Sequence, residues 1–472
     1  MQSYSKLFFL TLSFLIASNA IARGHSSDNP LIINTITIEG NKKTKDFIIV
    51  REIDFVIGDT IDTSTLDERI KLNQRRIFNT TLFSKVDVLA SVQAEGLVDI
   101  KIIVNENWYI WAAPYFRLND RNFNEWIDRG SDFGRLNYGL FADNENFLGR
   151  GQKLEFVFET GFTNRYTLRY NIPYIDKKRN TGLISEFRFQ TFSNLAYTTS
   201  NDQLDFLYRD EVLKTQFESK IKLRLRQGFY IFHFLELGYN QTNISQSLIE
   251  QNPFYLHQNS DKQQFSTIAY TFRFDRRDNV NFPLKGRVFI ADIRRYGLLP
   301  TDNFNSWQFR LALGDYYPLG KKWFTNYILK AKAFTNADVP YNILRGIGYE
   351  EDILRGYDLY VVNGSAYGSG RVNLKREVFN RTFQLKFIKW RQFNTLPIQL
   401  FINAFNDWGY VYNRYPERIN NPLANSVLRS YGLGLEINTF YNTVIRFNAS
   451  RNHRNETNFF INFQKDIWTK WN

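Results

Sequence analysis

From residue 107 onward the chain repeats one pattern. Runs of roughly 10–14 residues alternate apolar and polar side chains, and Asn, Asp, Gly and Pro punctuate them. Such alternation puts successive side chains on opposite faces of a strand. Sixteen segments carry it: 107–118, 131–143, 152–161, 164–174, 181–193, 210–226, 228–242, 263–275, 285–296, 305–318, 322–335, 366–379, 397–410, 428–440, 442–451 and 457–468. A strand crosses a bilayer in about 9–11 residues, so each is long enough. An open soluble sheet would share the alternation. In lipid, however, only closure satisfies every backbone polar group, and sixteen is even, as single-chain bacterial barrels require. The pattern predicts a 16-stranded antiparallel transmembrane β-barrel over 107–472.

The segment before it has another period. "LIINTITIEG" alternates into a turn at Gly40, and "KTKDFIIVREI" (43–53) has helical character. "STLDERIKLNQRRIFNTTLF" (64–83) opens with Ser64 or Thr65 as the expected N-cap. Its Leu66, Ile70, Leu72 and Ile77 are expected on one face. Two strands follow, "SKVDVLASV" and "GLVDIKIIVNE". Residues 29–106 therefore read as a small α+β module of order β-α-α-β-β.

The first residues bear on the compartment. Lys6 precedes the apolar run "LFFLTLSFLIA", which is too short to span, and Ala20 and Ala22 supply an A-x-A cleavage pattern. Residues 1–22 are expected to be an export signal. With no cysteine in the chain, disulfides, thiolate metal sites and cysteine nucleophiles are excluded. Four scattered histidines form no metal-ligand spacing, and no nucleophile elbow or phosphate loop occurs. The reading is of a non-enzyme with no metal and no cofactor. Aromatics make up 17% of residues while the mean hydropathy is slightly negative, as strands facing lipid on one side and water on the other require. The net charge of +13 comes from Lys and Arg interleaved with Asp and Glu. That fits a basic lumen or lipid phosphates better than nucleic acid.

Two groups of motifs carry a family resemblance. "IEGNKKTKDFIIVREI", "GD" and "IFNTTLFSKVDV" follow in the order of a POTRA domain, and "FINAFNDWGYVY" (401–412) contains Phe405-x-Asp407-x-Gly409. The chain resembles the BamA/TamA outer-membrane assembly superfamily, with a single POTRA legible. The resemblance implies that a long loop, 338–365, folds back into the barrel with Arg355-Gly356-Tyr357 at its tip. Asp407 would then be the carboxylate that Arg355 meets, since Phe405, Asp407 and Gly409 share the lumenal face by parity. Glu377, on the same face as Asn373 and Lys375, is expected as a second acceptor. A guanidinium fork can engage carboxylates in a planar geometry that lysine cannot match.

"NFLGRGQKL" and "FDRRDNVNFPLKG" occupy early and middle hairpins, and Asp275, Asp278, Pro283 and Gly286 read as turn residues. The terminal "NFFINFQKDIW" places Phe459, Ile461 and Phe463 on one face. Pro114 lies in the first strand, where a residue without an N–H belongs at an edge or bulge, or simply ends the strand. Together these residues mark an expected lateral seam between first and last strands.

The resemblance implies an outer-membrane assembly protein with its POTRA in the periplasm. Its partners would be unfolded outer-membrane or secreted polypeptide clients, outer-membrane lipid, and periplasmic lipoproteins or chaperones. POTRA modules of that family take extended polypeptide at a sheet edge; a plain spacer is the alternative. The alternative for the whole chain is a two-partner-type secretion channel. Those relatives carry two POTRAs and a plug helix, whereas only 23–30 separate the signal from the first strand here.

Overall fold

The computed structural model describes residues 30–93, 96–119, 123–257, 259–349, 352–386, 388, 394–439 and 443–462. The expected export signal lies outside the described residues.

The first unit runs β1 (Pro30–Glu39), α1 (Asp46–Val50), β2 (Thr60–Asp62), α2 (Thr63–Phe78), β3 (Phe83–Val92) and β4 (Leu97–Glu106). Its sheet order is β2-β1-β4-β3, with β1 parallel to β4 and the other pairs antiparallel. β4 alternates strictly, so Val98, Ile100, Ile102 and Val104 are all buried in one core with Ile33, Ile49 and Ile77. Each such burial stabilises by roughly 1.5–3 kcal/mol.

Two local expectations change in α2. The N-cap is Asp62, whose carboxylate accepts from Ser64 N at 2.8 Å; it stands one residue ahead of the helix, where it can reach a free amide of the first turn. The buried stripe runs through Leu66, Asn73 and Ile77 rather than Leu72. Seven residues make about two turns, so Asn73 stands over Leu66 and Leu72 does not. Asn73 is satisfied there by Asp54, accepting from its N–H at 2.9 Å and donating to its carboxylate at 2.8 Å.

Sixteen antiparallel strands follow. They are β5 (Ile110–Leu118), β6 (Leu136–Phe147), β7 (Gln152–Gly161), β8 (Thr163–Ile172), β9 (Thr181–Phe192), then β12 (Lys214–Gln227), β13 (Ile231–Ile244), β14 (Lys262–Asp275), β15 (Gly286–Tyr296) and β16 (Ser306–Gly320). The wall continues with β17 (Trp323–Phe334), β18 (Ala366–Gln384), β19 (Thr395–Tyr412), β20 (Val427–Thr439), β21 (Thr443–Asn452) and β22 (Thr457–Asn462). Every strand expected from the alternation is present. β10 (Asn194–Ser200) and β11 (Gln203–Tyr208) pair only with each other. They are too short to cross a bilayer and form an outer hairpin that the sequence reading left unassigned, as it did α3 (Phe123–Asp128) and α4 (Gln246–Gln251).

Three residues separate β4 from β5, so the first unit lies at the end of the barrel where β5 starts. It is docked there. Glu52 takes Arg226 with two bonds of 2.6 and 2.7 Å. The Arg51 guanidinium stacks on Tyr174 at 3.9 Å and Arg76 on Phe229 at 3.6 Å. Lys45 N donates to Gly149 O at 2.9 Å. The turns of the first half of the wall make all these contacts.

At the other end, the β10–β11 tip closes over the barrel. Asp202 is fully buried; Oδ1 accepts from Asn421 Nδ2 at 2.7 Å and Leu423 N at 2.9 Å, and Oδ2 from Arg454 Nη2 at 3.2 Å. Its carbonyl accepts from Val361 N at 2.7 Å. One residue thus joins an early hairpin to three later connections, two through its carboxylate and one through its carbonyl.

Candidate functional site: the inward loop and its wall

From Phe401 to its end β19 alternates without a break. Phe401, Asn403, Phe405, Asp407, Gly409 and Val411 are buried, while the residues between them are exposed. Trp408 and Tyr410 are among the outward set. One strand therefore offers lipid an apolar face and the lumen a polar one.

The connection from β17 to β18, residues 335–365, turns back into that lumen. Ile347, Leu354, Tyr357 and Val362 pack on Val411, Leu423 and Leu428. This apolar contact brings Arg355 to the wall. Its Nε donates to Asp407 Oδ2 at 2.8 Å, its Nη2 to Asp407 Oδ1 at 2.5 Å, and its own backbone N–H to Oδ2 at 3.3 Å. The guanidinium also lies 3.8 Å from the centroid of Phe405. Asp407 is fully buried, so the fork and the Arg355 backbone N–H satisfy a carboxylate that has no water to fall back on, while the ring faces the guanidinium.

Glycines set how close the loop can come. Gly356 has φ +83, and a Cβ there would stand 3.0 Å from Ser430 Cβ. A Cβ on Gly409 would meet Ile347 Cδ1 at 2.7 Å. Loop and wall touch because both carry glycine at the contact.

The wall residues that hold the tip form one cross-strand row. Register pairs Arg371 with Asp407, Asp407 with Ser430, and Ser430 with Asn452. Ser430 Oγ donates to Arg355 O at 2.5 Å and Asn452 Nδ2 to Gly356 O at 3.0 Å. Tyr357 OH donates to Arg429 O at 3.0 Å and contacts His453 Nδ1. Sequence reasoning missed Ser430, Asn452 and His453. Small polar residues alternating along β20 and β21 were the available signal; their register was not.

The network extends away from the tip. Arg355 Nη1 donates to Asn373 Oδ1 at 2.8 Å, and Asn403 Nδ2 bridges Asn373 Oδ1 at 3.4 Å and Glu436 Oε1 at 3.3 Å. Lys375 Nζ meets Glu436 at 2.7 Å. Two buried ion pairs are thereby linked through asparagines along the inner wall.

The architecture now meets known proteins. The Omp85 superfamily domain matches residues 146–464, and the POTRA family, described as a surface antigen variable number repeat, matches residues 31–107. The chain belongs to the Omp85 superfamily. The outer membrane protein assembly factor BamA of Nitratidesulfovibrio vulgaris is 24% identical over 268 residues, covering 54% of this chain. The chain spans only 29% of that relative's length. Two solved structures share the fold. BamA from Haemophilus ducreyi lacking POTRA domains 1–3 has a TM-score of 0.50 at 17% identity, covering 91% of this chain and 83% of that one. CdiB from Escherichia coli has a TM-score of 0.54 at 11% identity, covering 92% and 74%. This Omp85 barrel stands in the outer membrane with its POTRA in the periplasm.

One expectation about the Omp85 site fails. Glu377 does not reach Arg355; it meets Lys322 at 3.6 Å and Asn380 at 3.0 Å. Arg371 is the β18 residue opposite Asp407, and six residues at about 3.3 Å each put Glu377 roughly 20 Å down the wall. Parity was right and distance wrong. Asn373 and Arg371, the latter 3.7 Å from Asp407, stand where Glu377 was expected.

The remaining residues are placed as follows. Pro114 lies on β5 opposite Leu140, in a ladder without a bulge. Phe459 and Ile461 pair with Ala449 and Phe447; Phe459 is exposed and Phe460 buried. Among the described residues β5 and β22 end the sheet, and Phe463 lies outside them. Asp278 Oδ1 accepts from Asn279, Leu284 and Lys285 N–H at 2.9–3.1 Å, a turn role. Asp275 holds Arg273 and Arg277 at 2.6 Å.

Proposed function

We propose that this protein inserts or translocates β-rich polypeptide clients at the outer membrane, without a cofactor. The observation that carries the reading is the position of the POTRA edge. β3 is a ten-residue end strand of its sheet, with Leu89 and Val92 exposed. Beside it, a groove of about 580 Å³ is lined by Gln74, Phe78 and Val86 of the POTRA and by Lys285 of the barrel turn. A strand added to that edge would lie at the rim of the barrel, already beside the wall it must enter.

In this reading residues 1–22 are the export signal, 29–106 the POTRA, and 107–472 the barrel with loop 338–365 inside. Periplasmic lipoproteins or chaperones would deliver clients to the POTRA. Pro114, Phe459, Ile461 and Phe463 would belong to a weak seam between first and last strands. The loop around Arg355 is fastened inside the lumen to β18, β19, β20 and β21, which favours that lateral route over a central channel.

A cysteine-free chain makes the test direct. Single cysteines along 108–115 and 459–467 should cross-link in one register, since a disulfide needs Cα atoms within about 4.4–6.8 Å. Locking that register should stop the reconstituted protein from folding an unfolded client barrel in liposomes, and reduction should restore it. A locked protein that still passes a secreted polypeptide would point to the secretion channel instead.

A further inference from the structure

The β18–β19 hairpin is longer than the wall beside it. β17 stops pairing at Trp323↔Arg376, yet β18 stays paired with β19 as far as Gln384↔Thr395. Residues 378–384 carry it roughly 20 Å past its neighbour, at about 3.3 Å per residue. This is the periplasmic end, away from the turns that hold the POTRA.

A bulge decides which face the extension shows. Glu377 pairs with Phe401 but Phe379 with Leu400, so Val378 is the extra residue. β19 runs on without a register shift against β20, so parity puts the half-buried Leu396, Ile398 and Leu400 on the side of the exposed Ile402. Opposite them the bulge brings Phe379, Arg381 and Phe383 outward. Without it Asn380, Thr382 and Gln384 would face out instead, because a one-residue slip reverses every side chain. The lipid face of the wall is thus continued deliberately past its neighbour.

Cations surround that face. Lys321 of the adjoining β16–β17 turn is exposed, as are Arg381 and Lys386. Arg376 lies 5.4 Å from the Trp323 ring and Arg381 5.9 Å from Phe379. Glu377 is turned to the inner side, where Asn380 and Lys322 hold it. An apolar face with a basic rim fits an anionic amphiphile: acyl chains against the rings, phosphate against the cations.

We propose that this hairpin is a binding site for anionic glycerophospholipid of the periplasmic leaflet. The site rests on the barrel's place in the membrane and not on the client reading, so its test does not use client folding. Leu396→Cys in the full-length protein, labelled with a small fluorophore, is placed in nanodiscs of phosphatidylcholine with or without phosphatidylglycerol. Nitroxide on the phosphatidylglycerol headgroup should quench the label far more than nitroxide on phosphatidylcholine. Each cation beside an anionic surface contributes roughly fivefold. Lys321→Gln, Arg381→Gln and Lys386→Gln combined should therefore cut the preference by roughly a hundredfold, while Arg381→Lys with Lys386→Arg keeps it. A retained heat shift in gels shows that each variant barrel is folded. Equal quenching by the two lipids overturns the proposal. So does a label reached by aqueous iodide and by neither lipid, and protected only when unfolded client is added; that outcome would assign the hairpin to polypeptide.

Discussion

Arg355 and Asp407 are 52 residues apart in sequence and share a two-pronged bond of 2.8 and 2.5 Å inside the barrel. The loop reaches the wall on apolar contacts, and this bond fixes where along the wall it stops. Removing one member of a buried pair typically costs about 3–5 kcal/mol, because the other charge stays uncompensated. Arg355→Ala should therefore make 338–365 protease-sensitive and lower client folding. Arg355→Lys should rescue little, since lysine lacks the fork. A double mutant with Asp407→Ala tests the pairing: losses that simply add would show that the two do not interact.

Asp202 ties the outer hairpin through one buried carboxylate to two other connections, at Asn421–Leu423 and at Arg454. Asp202→Ala should cost about 2–3 kcal/mol locally, as expected for bonds to a charged acceptor. Hydrogen exchange at 194–208 and 419–424 should rise together while the strands stay protected. Exchange rising in the hairpin alone would mean that the carboxylate does not couple them.

The Glu52–Arg226 pair holds the POTRA to the rim, with side chains only 5% and 11% exposed. Glu52→Arg should undock it, as two guanidinium groups would then face each other beside the neighbouring Arg51. Distance distributions between spin labels on β3 and on the 276–285 turn should broaden. An unchanged distribution would place the docking energy in the Arg51–Tyr174 and Arg76–Phe229 stacks instead.

Asp54 supplies a pH test. Burial raises its carboxyl, but the Asn73 hydrogen bond and the Arg69 and Arg76 charges outweigh that and leave it below the usual carboxylate range. A lowered folded value contributes stability at any pH above the unfolded value of about 4, and that stability is lost as pH falls through the folded value. Exchange protection in α2 should hold from neutral pH to about 4 and decline below it. Asp54→Asn should remove this step. A decline already complete at about pH 5 would have another cause.

Period and parity were legible in the sequence because they are local. Alternation along 401–411 set which side chains of β19 face the lumen, and the same rule located all sixteen wall strands; the expected β-α-α-β-β order of the POTRA missed β2, which at three residues is too short to show a period. Asp407 was found as the partner of Arg355 through the family's motifs, since nothing between residues 355 and 407 encodes the distance. Only the tertiary structure decided register, and register fixes reach. It put Arg371, Ser430 and Asn452 in one row with Asp407 and left Glu377 far down the wall, although all alternate alike. The bulge at Val378, the Asp202 clasp and the Glu52–Arg226 dock belong to the same class. Each joins elements that are distant in sequence, and a pattern of period two records which way a side chain points but not what stands opposite it.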